Sequence, residues 1–201
     1  MLDRAATRLL RPSLERGARA LRRAHLTANA VTWIGFALGL AAACAIAFEA
    51  YIAGLALIVS SRICDGLDGA LARLTQPTDR GAFLDIALDF LFYASIPLAF
   101  AVANPADRAL PAATLLAAFI GTGSSFLAYA VFAERRALHS EDYPNKGFYF
   151  LGGFTEASET FICFALMCLF PHRFAQWAYG FAALCALTIV TRFAAGWRTL
   201  D

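Results

Sequence analysis

The sequence predicts an all-α integral membrane protein: six transmembrane helices preceded by an N-terminal amphipathic interfacial helix, with both termini in the cytosol. Three observations predict it. Hydrophobic residues make up 60% of the 201 and charged residues only 16%, a balance too apolar for an ordinary soluble fold of this size. Six apolar stretches reach the roughly 20 helical residues that a bilayer requires. The basic residues, finally, fall almost entirely in connections on one side. Residues 1–201 read as one domain, with 1–25 forming the interfacial helix and 27–196 the bundle.

Residues 13–24 set Leu14, Ala18 and Leu21 on one helical face with arginines around the other. That pattern suits a helix lying on the inner membrane surface, held by anionic headgroups. The run after it is too long for the core of a signal peptide. The expected spans are 27–49, 51–72, 82–104, 109–133, 152–171 and 174–196. Pro77, Asn104-Pro105, Pro144-Asn145 and Pro171 punctuate the connections. Gly35 and Gly39 in span one suit close helix packing. No internal repeat is visible, which weighs against a secondary transporter.

Arg4, Arg8, Arg11, Arg16, Arg19, Arg22 and Arg23 precede span one, and Arg73 and Arg80 follow span two. Arg135, Arg136 and Lys146 follow span four, and Arg192 and Arg198 sit at the C-terminal end. Only Arg108 and Arg173 lie on the other side, and Arg62 is inside a span. Fourteen against two places both termini in the cytosol by the positive-inside rule. The five cysteines lie scattered in apolar stretches and read as reduced, buried thiols. His25, His139 and His172 form no ligand cluster. Trp33, Trp177 and Trp197 suit aromatic belts or core packing.

Spans two and three carry the chemistry. Asp65 and Asp68 are three apart, and Asp85 and Asp89 are four apart, so each pair shares a helical face. A hairpin about Pro77 sets Asp65 level with Asp89 and Asp68 near Asp85. With a rise of about 1.5 Å per residue, all four lie roughly 6–12 Å inside the boundary. Carboxylates in hydrocarbon are costly, and mutual repulsion adds to the cost. Cations would neutralise them, and oxygen ligands at this density suit Mg²⁺, Mn²⁺ or Ca²⁺. Pairing with Arg62, Arg73 and Arg80 is the structural alternative. Gly66, Gly69 and Ala72 clear a strip beside the acids for a ligand, with Arg73 placed to bind phosphate.

These residues resemble the signature of the CDP-alcohol phosphatidyltransferases, D-x2-D-G-x2-A-R-x8-G-x3-D-x3-D. Asp65, Asp68, Gly69, Ala72, Arg73, Gly81, Asp85 and Asp89 fill every fixed position, with seven loop residues in place of eight between Arg73 and Gly81. Leu26-Thr27-Ala28-Asn29-Ala30-Val31-Thr32 is similar to the family's usual opening of the first span. The resemblance implies transfer of a phosphatidyl group from a CDP-linked lipid donor, CDP-diacylglycerol among them, to a small alcohol with release of CMP. It implies two divalent cations, Mg²⁺ or Mn²⁺, on Asp65, Asp68, Asp85 and Asp89. Asp89 is then the general base, with Asp85 beside it in catalysis. Asp68, Gly69, Ala72, Arg73 and Gly81 bind the CDP group. It further implies a homodimer with its site open to the cytosol. The chain's size and its richness in alanine and arginine suggest a bacterial inner membrane. No nucleic-acid partner is expected.

Span five opens with Glu156 and Glu159 on one face at a depth near that of the aspartates, and intramembrane acids are functional candidates. With Arg62, Lys146 and Arg192 they are the candidate acceptor-binding residues, though pairing of the acids with Arg62 or Arg192 explains them equally. A cation transporter or channel would explain the acids but not Gly69, Ala72, Arg73 and Gly81. An intramembrane prenyltransferase would be longer, with differently spaced acids.

Overall fold

The computed structural model describes residues 2–136 and 155–199. Among them every regular element is helical: α1 (Leu2–Arg23), α2 (Ala28–Ala47), α3 (Tyr51–Leu74), α4 (Asp79–Ala103), α5 (Pro105–Arg135), α6 (Ala157–Leu169) and α7 (Phe174–Thr199). A 3-10 turn, Pro171–Arg173, leads into α7.

Local chemistry sets where the helices that bear the site begin. Thr27 caps α2, its hydroxyl accepting the Ala30 N–H at 3.2 Å. Thr78 caps α4 in the same way, accepting the Gly81 N–H at 3.1 Å. Such caps contribute about 1 kcal/mol each. The Thr78 cap also fixes the register from which Asp85 and Asp89 project.

α2 packs between α3 and α4, and α5 packs on both α4 and α7. The close approach of α2 depends on its glycines. A Cβ at Gly35 would stand 2.9 Å from Cys64 Cβ, and one at Gly39 would stand 2.6 Å from the Phe92 ring. Both are therefore packing residues, as their spacing suggested. Phe92, Phe100, Phe164 and Phe174 are fully buried and anchor the main core. All five cysteines are free thiols.

Four segments are long and apolar enough to cross a membrane: α2, α4, α5, and α7 with its preceding turn. Trp33, Phe83, Leu110 and Phe193 are each more than half exposed on them, an outer surface that suits lipid better than water. α3 has 24 residues, but from its midpoint at Arg62 onward it carries Arg62, Asp65, Asp68 and Arg73. α6 departs from the expected span 152–171. It has only 13 residues, about 20 Å of helix against a hydrocarbon core of about 30 Å. Glu156 caps its start and Pro171 follows its end; residues 152–154 lie outside those described.

The N-terminal helix also differs from expectation. Its apolar face is not left for the lipid surface. Leu14, Ala18 and Leu21 pack with Val31, Leu67, Ala70, Leu71 and Leu74 in a second small core. The reason is that α3 continues to Leu74 and offers an apolar side of its own. A Cβ at Gly66 would meet both Leu14 methyl groups at 3.1 Å, so Gly66 serves helix packing rather than a ligand slot. Arg22 Nη1 donates to the terminal α3 carbonyl of Leu74 at 3.2 Å. On the outer face, Arg11 Nε donates to Glu15 at 2.8 Å and holds that carboxyl below the usual carboxylate range.

Candidate active site

α3 and α4 run antiparallel about the turn at Thr75–Thr78 and bring three of the four aspartates together. One oxygen from each of Asp65, Asp68 and Asp85 lies within 4.8 Å of the others. Oxygens sharing a small divalent ion at about 2.1 Å lie at most about 4.2 Å apart. Neighbouring oxygens on such an ion lie about 3 Å apart, so the trio has to close up by a modest side-chain movement to become a ligand set. Asp68 is only 5% exposed, and its Oδ2 is buried without a hydrogen-bond partner among the described residues. An orphaned carboxylate oxygen facing two other carboxylates is a costly arrangement that a cation would satisfy. The residues fit a divalent metal.

Asp89 stands apart from this trio. Its Oδ1 accepts from Arg62 Nη1 at 2.8 Å, and the same nitrogen lies 3.5 Å from Asp65 Oδ1. The Arg62 guanidinium lies over the Phe92 ring, 4.1 Å from its centroid. Of the roles open to Arg62 (acceptor binding, pairing with the span-five acids or pairing with the aspartates), the structure shows the last, with two of the aspartates. The cause is geometric: Arg62 lies one turn before Asp65, on the face that meets α4.

The acids line a narrow crevice of ≈ 10 Å³ whose walls include Thr32, Gly35, Phe36 and Ser61. Asp85 and Asp89 also belong to the lining of a chamber of ≈ 870 Å³ between α4, α5, α6 and α7. Ile86, Phe90, Leu116, Phe119, Ile120 and Phe181 make much of that chamber apolar, and Thr122, Thr155, Glu156, Thr160 and Arg192 add a polar group. The chamber side was not legible beforehand. Its α5 wall, from Leu116 to Leu127, carries no charged residue and reads as ordinary apolar span. Thr32 stands out in the sequence only as part of the opening of span one.

Glu156 and Glu159 are not two acids on one intramembrane face. Glu156 is the residue before α6, and the two form a reciprocal cap. The Glu156 N–H donates to Glu159 Oε2 at 3.1 Å, so the N-terminal donors of α6 draw both carboxylates to its start. Glu156 remains in the chamber lining, whereas Glu159 is not among the lining residues. Arg192 is 8% exposed and belongs to the bundle interior rather than to a terminal segment. Its Nη1 donates to the Thr122 carbonyl at 2.9 Å, and its charge faces that of Glu156.

Of the CDP-binding candidates, Asp68 is one of the clustered acids, and Gly69, Ala72, Arg73 and Gly81 line neither the crevice nor the chamber. A Cβ at Gly69 would meet only Arg73 Nη1, at 3.5 Å, which leaves the helix open there. Arg73 itself is exposed and Ala72 half-buried. Gly81 sits against α2, where a Cβ would stand 3.2 Å from both Asn29 Oδ1 and Thr78 Oγ1. Lys146 and His139 lie outside the described residues.

An apolar helical bundle that gathers carboxylates beside a large, mostly apolar chamber belongs to the class of all-helical membrane proteins. Comparison with known proteins narrows the class. A profile of the CDP-alcohol phosphatidyltransferase family matches residues 25–192, and the chain belongs to that family. It is 48% identical over 200 residues to the inner membrane protein YnjF of Escherichia coli, covering 100% of this chain and 97% of that one. A shorter match joins it to archaetidylinositol phosphate synthase of Methanothermobacter thermautotrophicus, 43% identical over 70 residues, or 34% of this chain and 36% of the relative.

Two crystal structures of Mycobacterium tuberculosis phosphatidylinositol phosphate synthase share the fold. The form with CDP-DAG bound matches with a TM-score of 0.67 at 22% identity, over 92% of this chain and 93% of that one. The form with manganese and citrate matches with a TM-score of 0.69 at 22% identity, over 92% and 88%. With its apolar helices and its inner-membrane relative, the chain is an integral membrane protein.

Proposed function

We propose that the protein transfers a phosphatidyl group from CDP-diacylglycerol to the hydroxyl of a small alcohol and releases CMP. The observation that carries the proposal is the convergence of Asp65, Asp68 and Asp85 within 4.8 Å, with Asp85 and Asp89 in the wall of the large chamber. The bound CDP-DAG in the mycobacterial relative of the same fold supports the choice of donor.

Two divalent cations, Mg²⁺ or Mn²⁺, would be held by Asp65, Asp68 and Asp85 with Asp89, and would supply positive charge to the donor's diphosphate and the leaving CMP. The protein's own groups do the rest. Gly69 leaves the α3 backbone open, and Arg73 beside it binds a phosphate oxygen. Asp89 accepts the proton of the attacking alcohol, the task for which a carboxylate at the chamber wall is placed. The apolar chamber walls exclude water and so favour alcoholysis over hydrolysis. Glu156 and Arg192 present an acceptor and a donor to the incoming alcohol. The remaining assignments complete the proposal: six spans, with the short α6 as the helical part of the fifth, termini and site on the cytosolic side of a bacterial inner membrane, and a homodimer.

The test is direct. Purified protein with Mg²⁺ or Mn²⁺ and CDP-diacylglycerol is offered glycerol 3-phosphate, inositol phosphate, inositol, serine or choline separately, and CMP is measured. At least one acceptor is expected to release CMP in proportion to new phospholipid. No CMP with any acceptor, together with metal-dependent ion flux in liposomes, would establish the transporter reading instead.

A further inference from the structure

The signature accounts for the four aspartates but not for Arg62, an arginine within the apolar bundle whose side chain is only 19% exposed. Its placement is closely defined. Nη1 lies 2.8 Å from Asp89 Oδ1 and 3.5 Å from Asp65 Oδ1, the position that a cation bridging those two carboxylates across α3 and α4 would take. Phe92 stacks on the guanidinium at 4.1 Å, with Tyr93 at 5.6 Å, and the Nε–H is buried without an acceptor among the described residues. The fork is therefore held from several sides. A planar guanidinium stacked on aromatic rings keeps such a position better than a flexible ammonium would.

We infer that Arg62 is a positioning residue acting as a built-in cation: it occupies the Asp65–Asp89 bridge and keeps Asp89 out of the metal ligand set in the donor-free enzyme. Asp65, Asp68 and Asp85 then take one divalent ion. Asp89 stays oriented toward the chamber, hydrogen-bonded and available as the proton acceptor. This rests on the metal-dependent transferase reading, and adds a stoichiometry that the four aspartates alone do not imply. Four carboxylates without a resident cation would favour two ions at once, whereas a guanidinium already on Asp89 repels the second.

The test uses the full-length protein in detergent, stripped with chelator and titrated with Mn²⁺, free Mn²⁺ being read by electron paramagnetic resonance. The wild type is expected to bind one tight equivalent without donor. Arg62→Gln, which removes the charge and keeps a hydrogen-bond donor, should bind two. Its second equivalent should be tighter by about tenfold or more, the scale of effects that partners of metal ligands exert. Arg62→Lys should return to one. Two tight equivalents in the wild type would overturn the inference whether or not the glutamine variant folds, as would an unchanged count in a folded Arg62→Gln. Binding of no ion by any form would sink the metal site itself, and the transferase reading with it.

Discussion

At the scale of single residues, Asp89 meets two partners with opposite requirements. Toward α3 it accepts from Arg62 at 2.8 Å; toward α5 and α6 it faces the chamber from which an alcohol would approach. Asp89→Asn keeps the shape and one oxygen for Arg62 but removes the proton acceptor. CMP release is expected to fall by about 10²–10⁴, the usual worth of general base catalysis. Donor affinity, measured by equilibrium binding of labelled CDP-diacylglycerol, should change only a few-fold. Loss of binding with turnover intact at saturating donor would contradict the base role. The four aspartates were legible because their spacing of three and four is a property of a single helix. The Arg62–Asp89 bond spans 27 residues and depends on how α3 turns against α4, which spacing does not specify.

At the scale of elements, two glycines three residues apart on α3 have opposite duties. Gly66 faces α1, where a Cβ would stand 3.1 Å from Leu14; at Gly69 the nearest atom is the end of Arg73, at 3.5 Å. Gly66→Val should therefore destabilise through overpacking, by about 1–3 kcal/mol, with a lower melting temperature and faster proteolysis of α1. Gly69→Val should spare the melting temperature and raise the KM for the CDP donor. Equal melting temperatures for the two variants would refute the division.

From the sequence both glycines read as one clear strip, because the helix that fills half of it lies some 50 residues earlier in the chain. α6 was misread for a related reason. The familiar capping pattern starts with Ser or Thr, and a glutamate in that position looks like a buried acid within a span.

At the scale of the whole molecule, the charge distribution carries the orientation. The structure moves Arg192 into the bundle interior, 8% exposed, so it leaves the count of connecting charges. The fourteen basic residues on one side become thirteen against two, and the inference is unchanged because each basic residue in a short loop biases insertion in the same direction. The turn at Thr75–Thr78 and the turn at Asn104 lie at opposite ends of α4, a helix of 25 residues and so about 37 Å long.

Pro77→Cys and Asp107→Cys therefore report opposite faces of the membrane. Cys163, Cys168 and Cys185 are buried in the core, so replacing only Cys44 and Cys64 by alanine leaves little background for an impermeant maleimide. In intact cells Asp107→Cys should label and Pro77→Cys should not; in inside-out vesicles the pattern should reverse. Labelling of Pro77→Cys from outside would turn the carboxylates toward the wrong compartment for a nucleotide-linked donor made in the cytosol. It would overturn the cytosolic site even with every motif residue in place.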